Sequence, residues 1–325
     1  MSPPTNVNKQ NNETEYVLSL EKELENMKAN HLSSNNVKAD KQKLKFYTGF
    51  IHPELFDICF DFITDGQMTE ETDYKLPLVE QFLLVLVRLR LGLSEQHLAY
   101  SFSANETIST KTVSRIFHRW IPLIYRRFKI LNIWPSRLQI LNLVPMSVIV
   151  KHPSLRVIID CTEIKISQPR GPANQQVTFS NYKNCNTAKA LIGVSPTGAI
   201  TFVSELYGGN ISDKEITKRS GILELMERGD EIMADRGFLI EDLIRPYGIR
   251  LNIPACTGGR SHLEPCEVAQ SRRVASTRIH VERVIGRIKE FKILTHVHST
   301  YILPHLNEIF FVYAVLTNFQ EQLIK

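Results

Sequence analysis

The chain has 325 residues, 43% hydrophobic and 22% charged, a composition that supports one large packed domain or two ordinary ones. Its net charge of +5 permits a nucleic-acid partner without requiring one, so the distribution of charge has to decide. Five cysteines with no CxxC pair argue against a secreted disulfide framework, no apolar run is long enough to span a bilayer, and the start MSPPTNVNKQNNETE lacks signal-peptide regions; an intracellular protein with free thiols and no membrane association is expected.

Residues 1–14 are polar and Asn-rich and are expected to be disordered. In EYVLSLEKELENMKAN, Leu20, Leu24 and Met27 share one helical face, which fits a coiled-coil strip or a short helix within a linker over 15–45. Residues 46–135 carry a helical pattern. Pro77 stands ahead of LVEQFLLVLVRLRLGL, which is apolar on nearly all sides and predicts the buried central helix of the cluster; its length, Arg88 and Arg90 exclude a membrane span. The stretch LSEQHLAYSFSANETISTKTVSRIFHRWI reads as helix, polar turn, helix, with Ser94 and Ser109 or Thr110 as N-caps. Lys111, Ser114, Arg115 and His118 would face outward, with Val113, Ile116, Phe117 and Trp120 facing the core, a pattern that suits either DNA contact or plain packing.

Pro135, Pro145 and Pro153 predict an irregular connector and a domain boundary near 134–154. Beyond it LRVIIDCTEI, KALIGVSP and AITFVSEL predict three strands, SPTG a turn between the last two, and Ser212 with Glu215 a capped helix start. EIMADRGF predicts a strand followed by a helix through about Arg245; RLNIPA adds a strand, 264–294 a long charged helix, and His305–Glu321 a last helix. The expected order is βββαβα within an α/β domain over 150–325.

Asp160 and Asp235 each end an apolar strand, and Glu282 lies in the helix TRIHVERVIGRIKEF. A lone Asp is usually an N-cap or a surface ion pair, but several carboxylates at one sheet edge call for a compensating cation. Hard oxygen ligands select Mg²⁺ or Mn²⁺, and a pair of such ions fits phosphoryl transfer. Around Glu282 cluster Arg272, Arg273, Arg278, Arg283, Arg287, Lys289 and Lys292, predicting a DNA face on which Arg278, Glu282 and Lys289 share one side of the helix. Cys256, His262 and Cys266 form either a zinc site or ordinary loop positions.

The segments RVIIDCTEI, FSNYKNCNTAKALIGVSPTGAITFVSELYGGNISDKEI, EIMADRGF and RIHVERVIGRIKEFKIL resemble the PIF/Harbinger-type transposases and their domesticated nuclease descendants, and FYTGFIHPELF through VSRIFHRWIPLIY resembles the helix-turn-helix region that precedes the catalytic domain in them. The resemblance implies an RNase H-like fold, a mixed sheet flanked by helices, preceded by an all-α helix-turn-helix-like domain. It implies a DDE triad of Asp160, Asp235 and Glu282 that catalyses phosphodiester hydrolysis and strand transfer with two Mg²⁺ or Mn²⁺ ions. DNA would be held by Arg278, Arg283, Arg287, Lys289, Lys111 and Arg115. A nuclear location is implied, and a homo-oligomer and a separate DNA-binding partner protein are compatible with it. The Arg-x3-Glu-x6-Lys signature matches Arg278, Glu282 and Lys289, while the tyrosine often found three residues earlier is Ala275 here, and Asp213 matches a recurrent family aspartate. The rival reading is a domesticated DNA-binding or scaffold protein that keeps the fold without turnover.

Overall fold

The computed structural model describes residues 32–65, 74, 76–102, 108–255, 264–294 and 303–321. The expected tail and amphipathic helix before residue 32, the turn at 103–107, and Cys256 and His262 lie outside those residues.

The first part is helical: α1 (Ser34–Ala39), α2 (Lys41–Thr48), α3 (Pro53–Thr64), α4 (Leu78–Leu91), α5 (Glu95–Ser101) and α6 (Thr110–Ile130). Ser94 and Ser109 accept hydrogen bonds from His97 N and Thr112 N, capping α5 and α6 where the sequence places those starts. Helix α4 is the central one, with every residue from Gln81 to Leu89 buried. At its heart Trp120 Nε1 donates to Gln81 Oε1 at 3.1 Å, and Gln81 Nε2 donates to the Leu76 carbonyl at 2.7 Å. One side chain thereby satisfies two groups that burial would otherwise leave unpaired.

Between 134 and 154 the chain forms two short helices, α7 (Arg137–Leu143) and α8 (Met146–Ile149), in place of the irregular connector expected. The prolines lie ahead of these helices: Pro135 precedes the capping box of Ser136 and Gln139, and Pro145 is itself an N-cap. A proline there sacrifices no helical hydrogen bond.

The α/β part follows as β1 (Leu155–Lys165), α9 (Pro172–Thr178), β2 (Phe179–Ser180), β3 (Cys185–Val194), β4 (Ile200–Val203), β5 (Tyr207–Gly208), α10 (Asp213–Arg219), β6 (Glu231–Met233), α11 (Glu241–Ile244), β7 (Arg250–Asn252), α12 (Pro265–Lys289) and α13 (Leu306–Thr317). In the sheet β3 lies antiparallel to β1, β6 and β7 follow in parallel on the other side, and β2, β4 and β5 share the outer edge of β3. This mixed sheet with helices on both faces, preceded by a helix-turn-helix, is the RNase H-like arrangement. The helix expected between Asp235 and Arg245 starts only at Glu241 and shrinks to α11; one 3₁₀ turn follows, and Pro246 and the left-handed Gly248 stop it there.

Alternation along β1 sorts its side chains between two cores. Val157 and Ile159 join Ile216, Phe238 and Ile244 on one face; Ile158 and Ile164 join α12, α13 and the amino-terminal helices on the other, as does Leu155 across the register shift between Leu155 and Val157. Helix α13 is buried at ten of its twelve positions and packs against α6, β4 and α12, so apolar side chains from both parts of the chain form one cluster.

Replacing Gln81 by leucine keeps the volume but strands the Trp120 N–H and the Leu76 carbonyl. A loss of about 2–4 kcal/mol is expected in urea unfolding; a change below about 0.5 kcal/mol would mean the pair is not desolvated.

Candidate active site

Register brings the two aspartates together. Ile158 of β1 is paired with Met233 of β6, and because the strands are parallel, two further residues along each lead to Asp160 and Asp235. Asp160 has the parity of Ile158, which points toward the face that α12 covers. Helix α12 buries Val274, Thr277, Val281, Val284, Ile285 and Ile288, and Arg278 and Glu282 flank that stripe.

Two of the acids share one guanidinium. Arg278 Nη2 donates to Glu282 Oε1 at 2.5 Å, and its Nη1 lies 3.6 Å from Asp235 Oδ2. The side chain of Arg278 is 18% exposed against 52% for each of these two acids, so the cation is the more enclosed member. Asp160 is the most enclosed of the three carboxylates. Burial pushes its pKa up to about 6; the Cys161 N–H, which donates to its Oδ1 at 2.8 Å, and the charge of Arg278 pull the other way, while Asp235 and Asp213 add to the rise.

Asp213 sits beside this group without sharing its cation. Its Oδ1 is 2.7 Å from Lys189 Nζ, which also donates to the Ile211 carbonyl. Burial lowers the pKa of Lys189, and the hydrogen bond and charge of Asp213 outweigh it, so the ammonium stays charged. Sequence reasoning passed over Lys189. The available signal was a single lysine inside the apolar strand KALIGV, since a cation in such a setting requires a carboxylate partner.

Residues 159–318 match the family model described as DDE superfamily endonuclease, and residues 74–130 match that described as helix-turn-helix of DDE superfamily endonuclease. Together the two matches support a DDE superfamily transposase-type endonuclease. No curated protein matches the chain. The helix-turn-helix match spans α4, α5 and α6, whose Lys111 and Arg115 are both exposed.

The remaining cations of the endonuclease domain are unequally placed. Lys289 is exposed on the side of Glu282, whereas Arg283 and Arg287 lie about 100° and 140° further round the helix. Arg283 is exposed, while Arg287 donates from Nη1 to the Glu321 carbonyl, which ties it to the segment after α13. Ala275 and Cys266 are exposed on α12. Among the described residues no three His, Cys, Asp or Glu side chains are grouped closely enough to hold a metal ion. With Arg278 between Asp235 and Glu282, the acids are spread around a guanidinium.

Burial makes the folded protein bind the Asp160 proton more tightly than the unfolded chain does, so ionising Asp160 costs stability as pH rises through about 6. Asp160→Asn keeps an acceptor for the Cys161 N–H and never ionises. In EDTA it is expected to stabilise the fold by about 1–3 kcal/mol near neutral pH, allowing for residual solvent contact, and the gain should vanish toward about pH 4. Urea unfolding across that range checks this, and a pH-independent difference would contradict it.

Proposed function

We propose that this chain is a metal-dependent DNA endonuclease of the PIF/Harbinger transposase type, which hydrolyses phosphodiesters and transfers strands using Asp160, Asp235 and Glu282. The observation that carries this reading is that Asp235, just past β6, and Glu282, on α12, engage one cation whose charge also reaches Asp160 of β1, within the segment that matches the DDE superfamily endonuclease model.

The donor set fits hard divalent cations, since all three groups offer carboxylate oxygens, and the ion pairs of Asp235 and Glu282 with Arg278 support a place that favours positive charge. Asp160, Asp235 and Glu282 would hold Mg²⁺ or Mn²⁺, two ions in the full site, once Arg278 yields the carboxylates it now engages. Metal bound there would supply Lewis acidity at the phosphodiester. The protein supplies the rest. The β1–β6 pairing aligns the two aspartates, the Cys161 N–H orients Asp160, and Lys189 holds Asp213 away from the shared cation. Released from the acids, Arg278 joins Lys289 on the same side of α12 to take DNA phosphates, with Arg283, Lys111, Arg115 and, when freed from Glu321, Arg287 extending the contact. A nuclear location, a homo-oligomer and a separate DNA-binding partner protein belong to the same proposal.

Purified protein with Mn²⁺ is expected to nick supercoiled plasmid, and Asp160→Asn, Asp235→Asn and Glu282→Gln should each reduce nicking at least about a hundredfold without lowering thermal stability. A folded wild type that binds DNA and leaves it intact would favour the scaffold reading, to which the engaged Arg278 lends its own support. A separate measurement addresses Arg278. If it competes with metal for the two carboxylates, Arg278→Met raises Mn²⁺ affinity roughly two- to tenfold by electron paramagnetic resonance titration, on the worth of two partly exposed ion pairs; unchanged or weaker affinity would show that it does not compete.

A further inference from the structure

Beyond the ends of β1 and β3 the surface opens into a recess of about 840 Å³, bounded by α9, the β2–β3 turn and the exit of β1. Seven of its eleven lining residues are Asn or Gln, and none is charged. The side chains of Gln168, Gln176, Asn181 and Asn184 make no hydrogen bond to the described residues, so their donors and acceptors are free for a ligand.

The walls are held firmly. Gln175 Nε2 donates to the Pro169 carbonyl at 3.1 Å, and Asn186 Nδ2 bridges the Gln175 carbonyl and Thr178 Oγ1. Helix α9 lies so close to the sheet that a Cβ on Gly208 would stand 2.5 Å from the Val177 carbonyl oxygen, and one on Gly209 2.9 Å from the Thr178 carbonyl oxygen. Charge along residues 164–204, which supply ten of the eleven residues lining the recess, runs one way. No Asp or Glu occurs between Glu163 and Glu205, while Lys165, Arg170 and Lys183 are exposed at or beside its rim. Two aromatic rings are available there: Phe179 is 37% exposed, and Tyr182 is 84% exposed with Lys183 Nζ 4.4 Å from its ring centre.

A carboxamide presents a donor and an acceptor side by side without charge, which matches the edge of a nucleobase and not a phosphate. A concave recess cannot enter the groove of a duplex, as a protruding helix can, but it can admit bases that are unpaired, with edges and faces both open. Ile166, just past β1, lies six positions beyond Asp160, about 20 Å along the strand direction. Resting on the DNA-cleaving reading, we propose that this recess receives unpaired bases of the strand that continues from the cleaved phosphodiester. Its carboxamides would meet base edges, Phe179 and Tyr182 base faces, and the rim cations the phosphates.

The test uses the full chain and an oligonucleotide carrying 5-iodouracil, offered single-stranded and as a blunt duplex, with photocrosslinks mapped by mass spectrometry and affinity read by anisotropy. The single strand should crosslink to Phe179 or Tyr182. The double variant Gln168→Ala/Gln176→Ala, which removes two exposed side chains without internal partners, should weaken single-strand binding roughly tenfold and duplex binding by less than about twofold, at unchanged thermal stability. Phe179→Ala should weaken single-strand binding comparably. Crosslinks confined to α6 or α12, or unchanged single-strand affinity in these variants, would overturn the proposal even where plasmid nicking persists, and the recess would then suit a peptide. Failure to bind either form of DNA would remove the cleaving reading and this one with it.

Discussion

Carboxylates gathered at one sheet face repel one another and lose hydration, and the arrangement of α12 answers both costs. Its buried stripe fixes the helix against β1 and β3, and that docking carries Arg278 to the acids as a counter-charge. The guanidinium satisfies Glu282 at close range and Asp235 at longer range, while its field reaches Asp160. Had α12 docked one residue out of phase, about 100° round, its cations would face solvent and Asp160 would stand desolvated without an opposing charge.

Much of this was legible in the sequence because it rests on local pattern. Asp235 just past its strand, the apolar stripe of α12 and the serine caps of α5 and α6 each announce themselves within a few residues, whereas Asp160, expected at a strand end, stands midway along β1, which continues to Lys165. The α/β order could be read from the same periodicities. What could not be read is how side chains divide their partners. That Arg278 would bridge acids while Lys289 stays exposed, although both share a side of α12, depends on the loop after β6, far away in the chain. The salt bridge between Lys189 and Asp213 likewise joins segments whose proximity is set by the pairing of β3 with β5.

The short connector helices show a second limit. Three prolines within 134–154 signal interruption, and the signal is sound as far as it goes: no helix there exceeds seven residues. A proline marks where a helix cannot continue and is equally at home where one begins, so proline spacing alone does not separate a broken segment from a string of short capped turns.

Helix α13 has a consequence for how the chain acquires its structure. Nearly every side chain on it fills space between the amino-terminal helices, β4 and α12, so the apolar surfaces of α6 and of one sheet face stay wet until residues 306–317 arrive. Those surfaces are made early in translation, while the segment that covers them emerges nearly two hundred residues after α6. During synthesis those surfaces therefore stay uncovered until α13 has been made, and the acids, whose face is shared with α12 and α13, acquire their setting only after that helix docks.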